Sequence, residues 1–330
     1  MTAPPPRRID DLLDVFPSFA LLAGMRLELF SALAAGPLSL EELAGALAVE
    51  PRRLRPLAYA LVAAGLLERR SGAEEGDRFA NGDEAERRLV RGRPGYMGGS
   101  HPLLAQLWEG GLRAADSVRS GRPQAAHDFS AMPAEELEAF FAGLHPEALE
   151  TGGRLGRRAE WAECRRLIDV GGGTGGVSIA LARLYPRLEA TVTELPAVLP
   201  LARRYIADAG LQGRLRAADA DAPLDGPYDA AILKSYLQIL GPDEAARALA
   251  DVAGALRPGG TLFVLGAGIV SDDRLHPAGA AAFNLVFPSF YADGQAHTLG
   301  EHRAWFEEAG CVLAEEARLD GQYLLVARRR

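Results

Sequence analysis

Residues 167–176 read Leu-Ile-Asp-Val-Gly-Gly-Gly-Thr-Gly-Gly, a short apolar run that ends in a glycine cluster before an amphipathic stretch. The pattern predicts a strand, a tight turn and a helix. Gly171, Gly173 and Gly175 fall two apart, which suits a backbone that turns sharply and lets a ligand approach the main chain with no Cβ in the way. Asp169 sits in the strand just before the turn. A carboxylate there orients the loop or pairs with a cationic ligand, and it disfavours a pyrophosphate. The same glycines also read as G-x-G-x-x-G through Gly171, Gly173 and Gly176, so a dinucleotide site stands beside the first reading. Glu194, at the end of the next expected strand, suits ribose hydroxyls in either case.

Working outward, strands are expected at 167–170, 189–194, 214–218, 228–233 and 261–265, alternating with helical stretches. Such alternation gives a parallel sheet with helices on both faces. Arg257-Pro258-Gly259-Gly260 closes a helix ahead of the strand at 261–265. The chain then runs through Cys311–Leu319, Asp320-Gly321 and Gln322–Ala327, and Asp-Gly between two apolar runs is a hairpin signal. The fold class is α/β, a Rossmann-like sheet that a C-terminal antiparallel hairpin sets apart from a dinucleotide-binding fold.

Residues 9–35 carry apolar side chains at helical spacing, with Pro17 starting or kinking a helix. Ser39 and Glu42 form a capping box, Pro51 begins another helix that ends near Gly65, and 66–70 with 77–80 read as the two strands of a wing. This winged-helix pattern raises DNA binding through Arg52, Arg53 and Arg55. Glu41, Glu42, Glu50, Glu74, Glu75 and Asp77 surround those arginines and leave no broad basic face, so no nucleic-acid partner is expected. Residues 96–160 read as helical, interrupted at Gly121-Arg122-Pro123 and Met132-Pro133. Three regions follow: 1–95, 96–160 and 161–330.

The 330 residues are 48% hydrophobic with a net charge of -8, enough for two cores and too acidic for an electrostatic nucleic-acid binder. Arg328-Arg329-Arg330 reads as a solvated tail. Cys164 and Cys311 lack metal-ligand spacing, no His/Asp/Glu group has it either, and no metal centre is expected. The proline-rich start with Arg7, Arg8 and Asp10 lacks the apolar core of a secretion signal, and no run reaches the ~20 apolar residues of a membrane span. A soluble, cytoplasmic protein without a membrane partner is the expectation.

Asp-Val-Gly-Gly-Gly-Thr-Gly (169–175), Glu194-Leu195-Pro196 and Leu233-Lys234-Ser235-Tyr236-Leu237-Gln238, in this order with Asp219 and the Pro-Gly-Gly turn, resemble the small-molecule O-methyltransferases related to plant caffeate and bacterial polyketide enzymes. The resemblance covers nearly the whole chain. It implies S-adenosylmethionine as cofactor, with Asp169 and the glycine turn at its cradle. Glu194 would hold the ribose, Leu195 would adjoin it, Asp219 and Ala220 would flank the adenine, and Lys234 would lie beside the cofactor. It also implies a homodimer formed through residues 1–95, and a roof over the acceptor site built from 96–160. Trp108 and Phe141 become candidate pocket walls there, and His145 a further candidate.

The family's catalytic pattern is missing. Its members place a His where this chain has Gln238, and an amide can orient by hydrogen bonds but cannot act as a base. The two family glutamates that accompany the His fall on Gly266 and Ala296. His297 and His145 are the imidazoles that could take over, ahead of His101, His127, His276 and His302. The aromatic stretch Phe283–Tyr291, with Asn284, Phe287, Phe290 and Tyr291, would join Tyr236 and Gln238 in a largely apolar pocket. The expected reaction is methyl transfer to a small, apolar secondary metabolite at oxygen or carbon, by proximity and orientation. The alternative is a reaction other than methylation, a cyclisation, hydroxylation or decarboxylation beside bound S-adenosylmethionine.

Overall fold

The computed structural model describes residues 8–72, 76–93 and 95–330. Glu74 and Glu75 at the wing tip, and the proline-rich start with Arg7, lie outside them. The chain divides into two compact units, one ending at Gln106 and one spanning Leu107–Arg330.

In the first unit the helical stretch near the N-terminus is three helices, Ile9–Leu13, Phe16–Arg26 and Leu29–Ala32, rather than one. Pro17 lies in the first turn of the second, where its missing N–H costs nothing, and Glu28 in left-handed conformation separates the second from the third. Ser39 and Glu42 make both bonds of the capping box ahead of helix Leu40–Leu47. Strands β1 (Leu38–Ser39), β2 (Leu67–Gly72) and β3 (Gly76–Asn81) form an antiparallel sheet in the order β1-β3-β2, the expected wing. Leu29, Phe30, Leu43, Leu54, Leu61 and Phe79 fill the core. Ile9, Leu12, Leu13 and Phe16 stay largely exposed, an apolar face larger than a lone helix should leave to water.

The second unit contains β4 (Arg166–Val170), β5 (Glu189–Glu194), β6 (Leu215–Asp219), β7 (Tyr228–Lys234), β8 (Leu256–Gly266), β9 (Ile269–Val270), β10 (His297–Thr298), β11 (Cys311–Leu319) and β12 (Gln322–Arg329). Seven of these make one sheet in the order β11-β12-β8-β7-β4-β5-β6, and β9 pairs with β10 separately. The sheet is parallel from β8 to β6, while β12 runs antiparallel to both β8 and β11. Asp320 and Gly321 both have positive φ, as a two-residue hairpin requires. Ile168 packs into the core that holds Tyr228, Trp305 and Phe306, whereas Leu167 packs into the core that holds Leu155, Trp161 and Val177. Alternate residues of one strand thus seed opposite faces, and neither face is left to water.

Two details differ from the sequence expectation. The Pro-Gly-Gly turn lies within β8, which pairs with β7 at Tyr228 and again from Ala230 after a register shift. Arg328 and Arg329 are not a tail: both belong to β12, where Arg328 bonds the Thr261 hydroxyl and Arg329 the carbonyls of Gly254 and Leu256. Helices Ala114–Ser120 and Ala134–Leu155 belong to the sheet-bearing unit, the latter beginning after Pro133 as its N-cap.

Candidate active site

The site gathers at the carboxyl ends of β4, β5, β6 and β7. The chain leaves β4 for β5 and β6 on one side and for β7 and β8 on the other, so the turn after β4 sits at the switch in strand order, where open α/β sheets bind ligands. Gly171, Gly173 and Gly175 all have positive φ, at 62, 59 and 75°. A Cβ on Gly171 would lie 2.5 Å from the Tyr236 ring, and one on Gly173 would lie 3.2 Å from Phe141. Glycine is required there by both conformation and space.

Carboxylates line this turn. Asp169 is 1% exposed, accepts a 2.7 Å hydrogen bond from the Ser178 hydroxyl, and is pushed up to about 6 by burial against the opposing pull of Ser178 and Lys234. Glu194 accepts from the Gly173 and Leu195 N–H groups, each at 2.9 Å, yet burial still raises its pKa and the Asp169 charge adds to the rise. Two buried, partly compensated carboxylates favour a cationic ligand and repel a pyrophosphate. The geometry therefore favours the methyl-donor reading of the glycine turn over the dinucleotide one.

Around them, the Lys234 ammonium lies 2.6 Å from Glu147 on helix Ala134–Leu155. Asp219 uses one carboxylate oxygen to accept the Asp221 N–H, an Asx turn, and Ala220 donates its N–H to the Glu194 carbonyl. Leu195 projects an exposed apolar side chain directly after Glu194.

The candidate bases are sequestered. His145 holds the Thr174 hydroxyl at 2.7 Å through Nδ1, and burial lowers its pKa to about 4. It braces the glycine turn. His297 is fully buried, its Nε2 lying 3.0 Å from the Leu237 carbonyl and 3.2 Å from that of Leu240, so Nε2–H ties down the turn that carries Gln238. Gln238 accepts the Gly268 N–H at 2.9 Å through Oε1. Gly266 has a φ of 138°, and a Cβ there would lie 2.7 Å from the Ser235 hydroxyl and 3.0 Å from the Ser235 nitrogen. Ala296 is buried and donates its N–H to Asn284 Oδ1 at 2.6 Å.

The aromatic residues divide. Phe287 is buried and packs with Val270, Ala280 and Ala296. Phe141 abuts Gly173 and joins Phe129 and Phe140, with ring centroids 5.6 and 5.3 Å away. Phe290 and Tyr291 continue this cluster through His127, one of the imidazoles ranked below His297 and His145 on sequence. Trp108 is half-buried on helix His101–Leu112. Among the described residues no group of His, Cys, Asp and Glu could hold a metal ion, and no helix is long and apolar enough to cross a membrane.

The family model for the O-methyltransferase domain matches residues 114–312, and the O-methyltransferase dimerisation domain matches residues 11–91. A 3-hydroxy-5-methyl-1-naphthoate 3-O-methyltransferase of Streptomyces sahachiroi is 35% identical over 88% of this chain and 85% of its own length. An aclacinomycin 10-hydroxylase of Streptomyces purpurascens is 30% identical over 90% of this chain and 82% of its own. Human N-acetylserotonin methyltransferase, solved in complex with S-adenosylmethionine, superposes with a TM-score of 0.83 at 20% identity, covering 99% of each chain. The chain belongs to the O-methyltransferase family and carries that family's dimerisation domain. It is an S-adenosylmethionine-dependent methyltransferase.

Proposed function

We propose that this enzyme methylates a small, largely apolar aromatic metabolite, at an oxygen or an electron-rich carbon, by holding it in line with the donor rather than by deprotonating it with the family's base. The observation that carries this reading is the aromatic cluster that begins at Phe141, beside Gly173, and extends through Phe129 and Phe140. A flat apolar acceptor stacked on such rings would be fixed close to the cofactor turn, and alignment alone can supply ~7 to 11 kcal/mol of a displacement barrier. The naphthoate-methylating relative favours an aromatic acceptor as well.

S-adenosylmethionine, when bound, supplies a methyl group on a sulfonium. In this reading Glu194 accepts the ribose hydroxyls while it holds the Gly173 and Leu195 N–H groups. Leu195, Asp219 and Ala220 bound the adenine, and Asp169 offsets positive charge at the turn, with Lys234 balanced by Glu147. Tyr236, Phe141, Phe290, Tyr291 and the free amide group of Asn284 face the acceptor. Gln238 orients it through its amide N–H, because Oε1 is already engaged by Gly268. His145 and His297 hold the turns on which these groups stand. The exposed face of Ile9, Leu12, Leu13 and Phe16 supports a homodimer, the acidic partners of Arg52 and Arg69 speak against nucleic acid, and a cytoplasmic location completes the reading.

The test is incubation with methyl-labelled cofactor and a panel of hydroxylated naphthoates and anthraquinones. Label in the product is expected. Product formed without cofactor consumption would instead support a reaction of the kind its hydroxylase relative is named for.

A further inference from the structure

His127 sits where the segment following helix Ala114–Ser120 runs along the end of helix Phe287–Phe290. Ala125 and His127 donate their N–H groups to the carbonyls of Ser289 and Phe290, at 2.9 and 3.3 Å, which fixes the backbone of the segment. The imidazole is enclosed by four aromatic rings. Phe290 lies 4.2 Å away and tilted, Phe140 5.2 Å away edge-on, Phe129 at 5.7 Å and Tyr291 at 6.2 Å.

Neither ring nitrogen has a hydrogen-bond partner among the described residues, and Nδ1 is buried. Ser289, on the facing helix, likewise carries a buried hydroxyl without a partner. Leaving a polar group unpaired in an apolar enclosure carries its full desolvation penalty, so an imidazole kept among phenylalanines needs a reason that packing alone does not give. Burial holds the ring well below its usual range, at about 4, so it is neutral near pH 7. A neutral imidazole has one N–H, and an orphaned buried donor is the rarer and costlier defect, which puts the lone pair on Nδ1 and the proton on Nε2.

We propose that His127 is a specificity-determining residue of the acceptor pocket, its Nε2–H donating to a carbonyl or carboxylate oxygen of the aromatic substrate. The inference rests on the aromatic-acceptor reading above and adds a polar point on the far side of the aromatic cluster from the cofactor turn. Phe129 and Phe140 each bridge this imidazole to Phe141, the ring that abuts Gly173, so His127 lies within two ring spacings, at most ~11 Å, of Phe141 and one further contact from the cofactor turn. A fused two- or three-ring acceptor spans that distance. Its far oxygen would then meet Nε2–H while the atom to be methylated lies near the donor. An apolar pocket binds flat molecules with little choice of register; one donor at its far end selects an orientation.

The experiment measures binding of 3-hydroxy-5-methyl-1-naphthoate, and of the same naphthol without its carboxylate, to enzyme saturated with S-adenosylhomocysteine. Wild type should prefer the carboxylate by at least about tenfold, since a hydrogen bond to a charged group contributes ~1.5–3 kcal/mol. His127→Phe should reduce the preference to within about threefold while S-adenosylhomocysteine still binds. His127→Gln, whose amide reaches the place of Nε2, should retain part of it. An unchanged preference in His127→Phe overturns the inference and leaves the aromatic-acceptor reading standing. If wild type binds neither compound, that reading falls and the inference with it. Should the phenylalanine variant fail to fold, the wild-type preference decides, and a ratio near one overturns the proposal.

Discussion

The Glu194 carboxylate and the Gly173 N–H are joined by a 2.9 Å hydrogen bond, so the acid at the end of β5 holds the glycine turn after β4. Its second oxygen takes the Leu195 N–H at the same distance. Glu194 therefore shapes the cradle through both carboxylate oxygens. Glu194→Ala leaves both N–H groups unpaired, at about 1–3 kcal/mol each, and S-adenosylhomocysteine affinity should fall ~10- to 100-fold by calorimetry. An affinity within twofold of wild type would remove Glu194 from the cofactor site.

Gly266→Glu, which would place a glutamate where the sequence resemblance implies one, should destabilise rather than activate. The φ of 138° is one that side chains rarely adopt, and the new Cβ would press on the Ser235 hydroxyl and backbone. A loss of about 2–4 kcal/mol is expected in denaturant titration, with no gain in turnover even when combined with Gln238→His. A variant as stable as wild type would show that the β8 terminus adjusts freely.

The contrast between these two positions shows what a sequence carries. Glycines spaced two apart after Leu-Ile-Asp-Val announce the turn, because positive φ and a close ligand leave few other residues possible. The Asp320-Gly321 hairpin and the Ser39/Glu42 cap are legible for the same reason: each is a local rule with a local cause. Gly266 and Ala296 reveal only that an acid is absent. That Gly266 is closed by Ser235, or that Ala296 is locked to Asn284, depends on contacts between segments distant in sequence. His127 ranks low in the sequence because an isolated His in a Pro- and Gly-flanked stretch carries no pattern. Its four aromatic neighbours come from three separate segments of the chain. The packing of Phe287 against Val270, Ala280 and Ala296 is likewise a contact between segments apart in sequence, which its aromatic character alone does not foretell.

Phe16→Asp together with Leu13→Asp should convert the protein to a monomer. Both side chains are about 70% exposed in the single chain, next to Ile9 and Leu12, and neither joins the core of the first unit. Charges on such a face oppose its burial against a second copy while leaving the fold intact. Light scattering should then report ~35 kDa in place of twice that mass. A wild type that is already monomeric would defeat the dimer reading.

Acid should destabilise the fold below about pH 6.5, the ordinary imidazole value. His302 is buried, donates Nδ1–H to the Thr298 carbonyl at 2.8 Å, and is lowered to about 4 by burial; His297, packed beside it, is also lowered by burial. Between pH ~6.5 and ~4 the unfolded chain binds protons that the folded chain refuses, so stability present above the window is lost as the pH falls through it. Each such histidine contributes up to about 1.4 kcal/mol per pH unit. Melting temperatures at pH 8, 6.5 and 5 should decline mainly over the last interval, and His302→Gln should flatten that decline. Equal melting temperatures at pH 6.5 and 5 would contradict the assignment.

Gln238→Ala should slow turnover modestly, by roughly tenfold to a hundredfold, and should leave cofactor affinity unchanged. The sequence resemblance implies the family's base at this position, but the Gln238 Oε1 is occupied by the Gly268 N–H and an amide cannot take a proton. What remains is one N–H on a turn that His297 pins through the carbonyls of Leu237 and Leu240. Removing the side chain forfeits an orienting contact and frees the Gly268 N–H, a cost of the size expected for one hydrogen bond. A positioned acid-base group typically contributes 10²–10⁴. A loss beyond about a thousandfold at saturating acceptor would therefore show that Gln238 takes part in the chemical step. A loss confined to KM would mean that it binds the acceptor without aligning it. Gln238→His supplies the control: if proximity is sufficient, introducing the family imidazole should not raise turnover, because Gly266 and Ala296 offer no carboxylate to orient it.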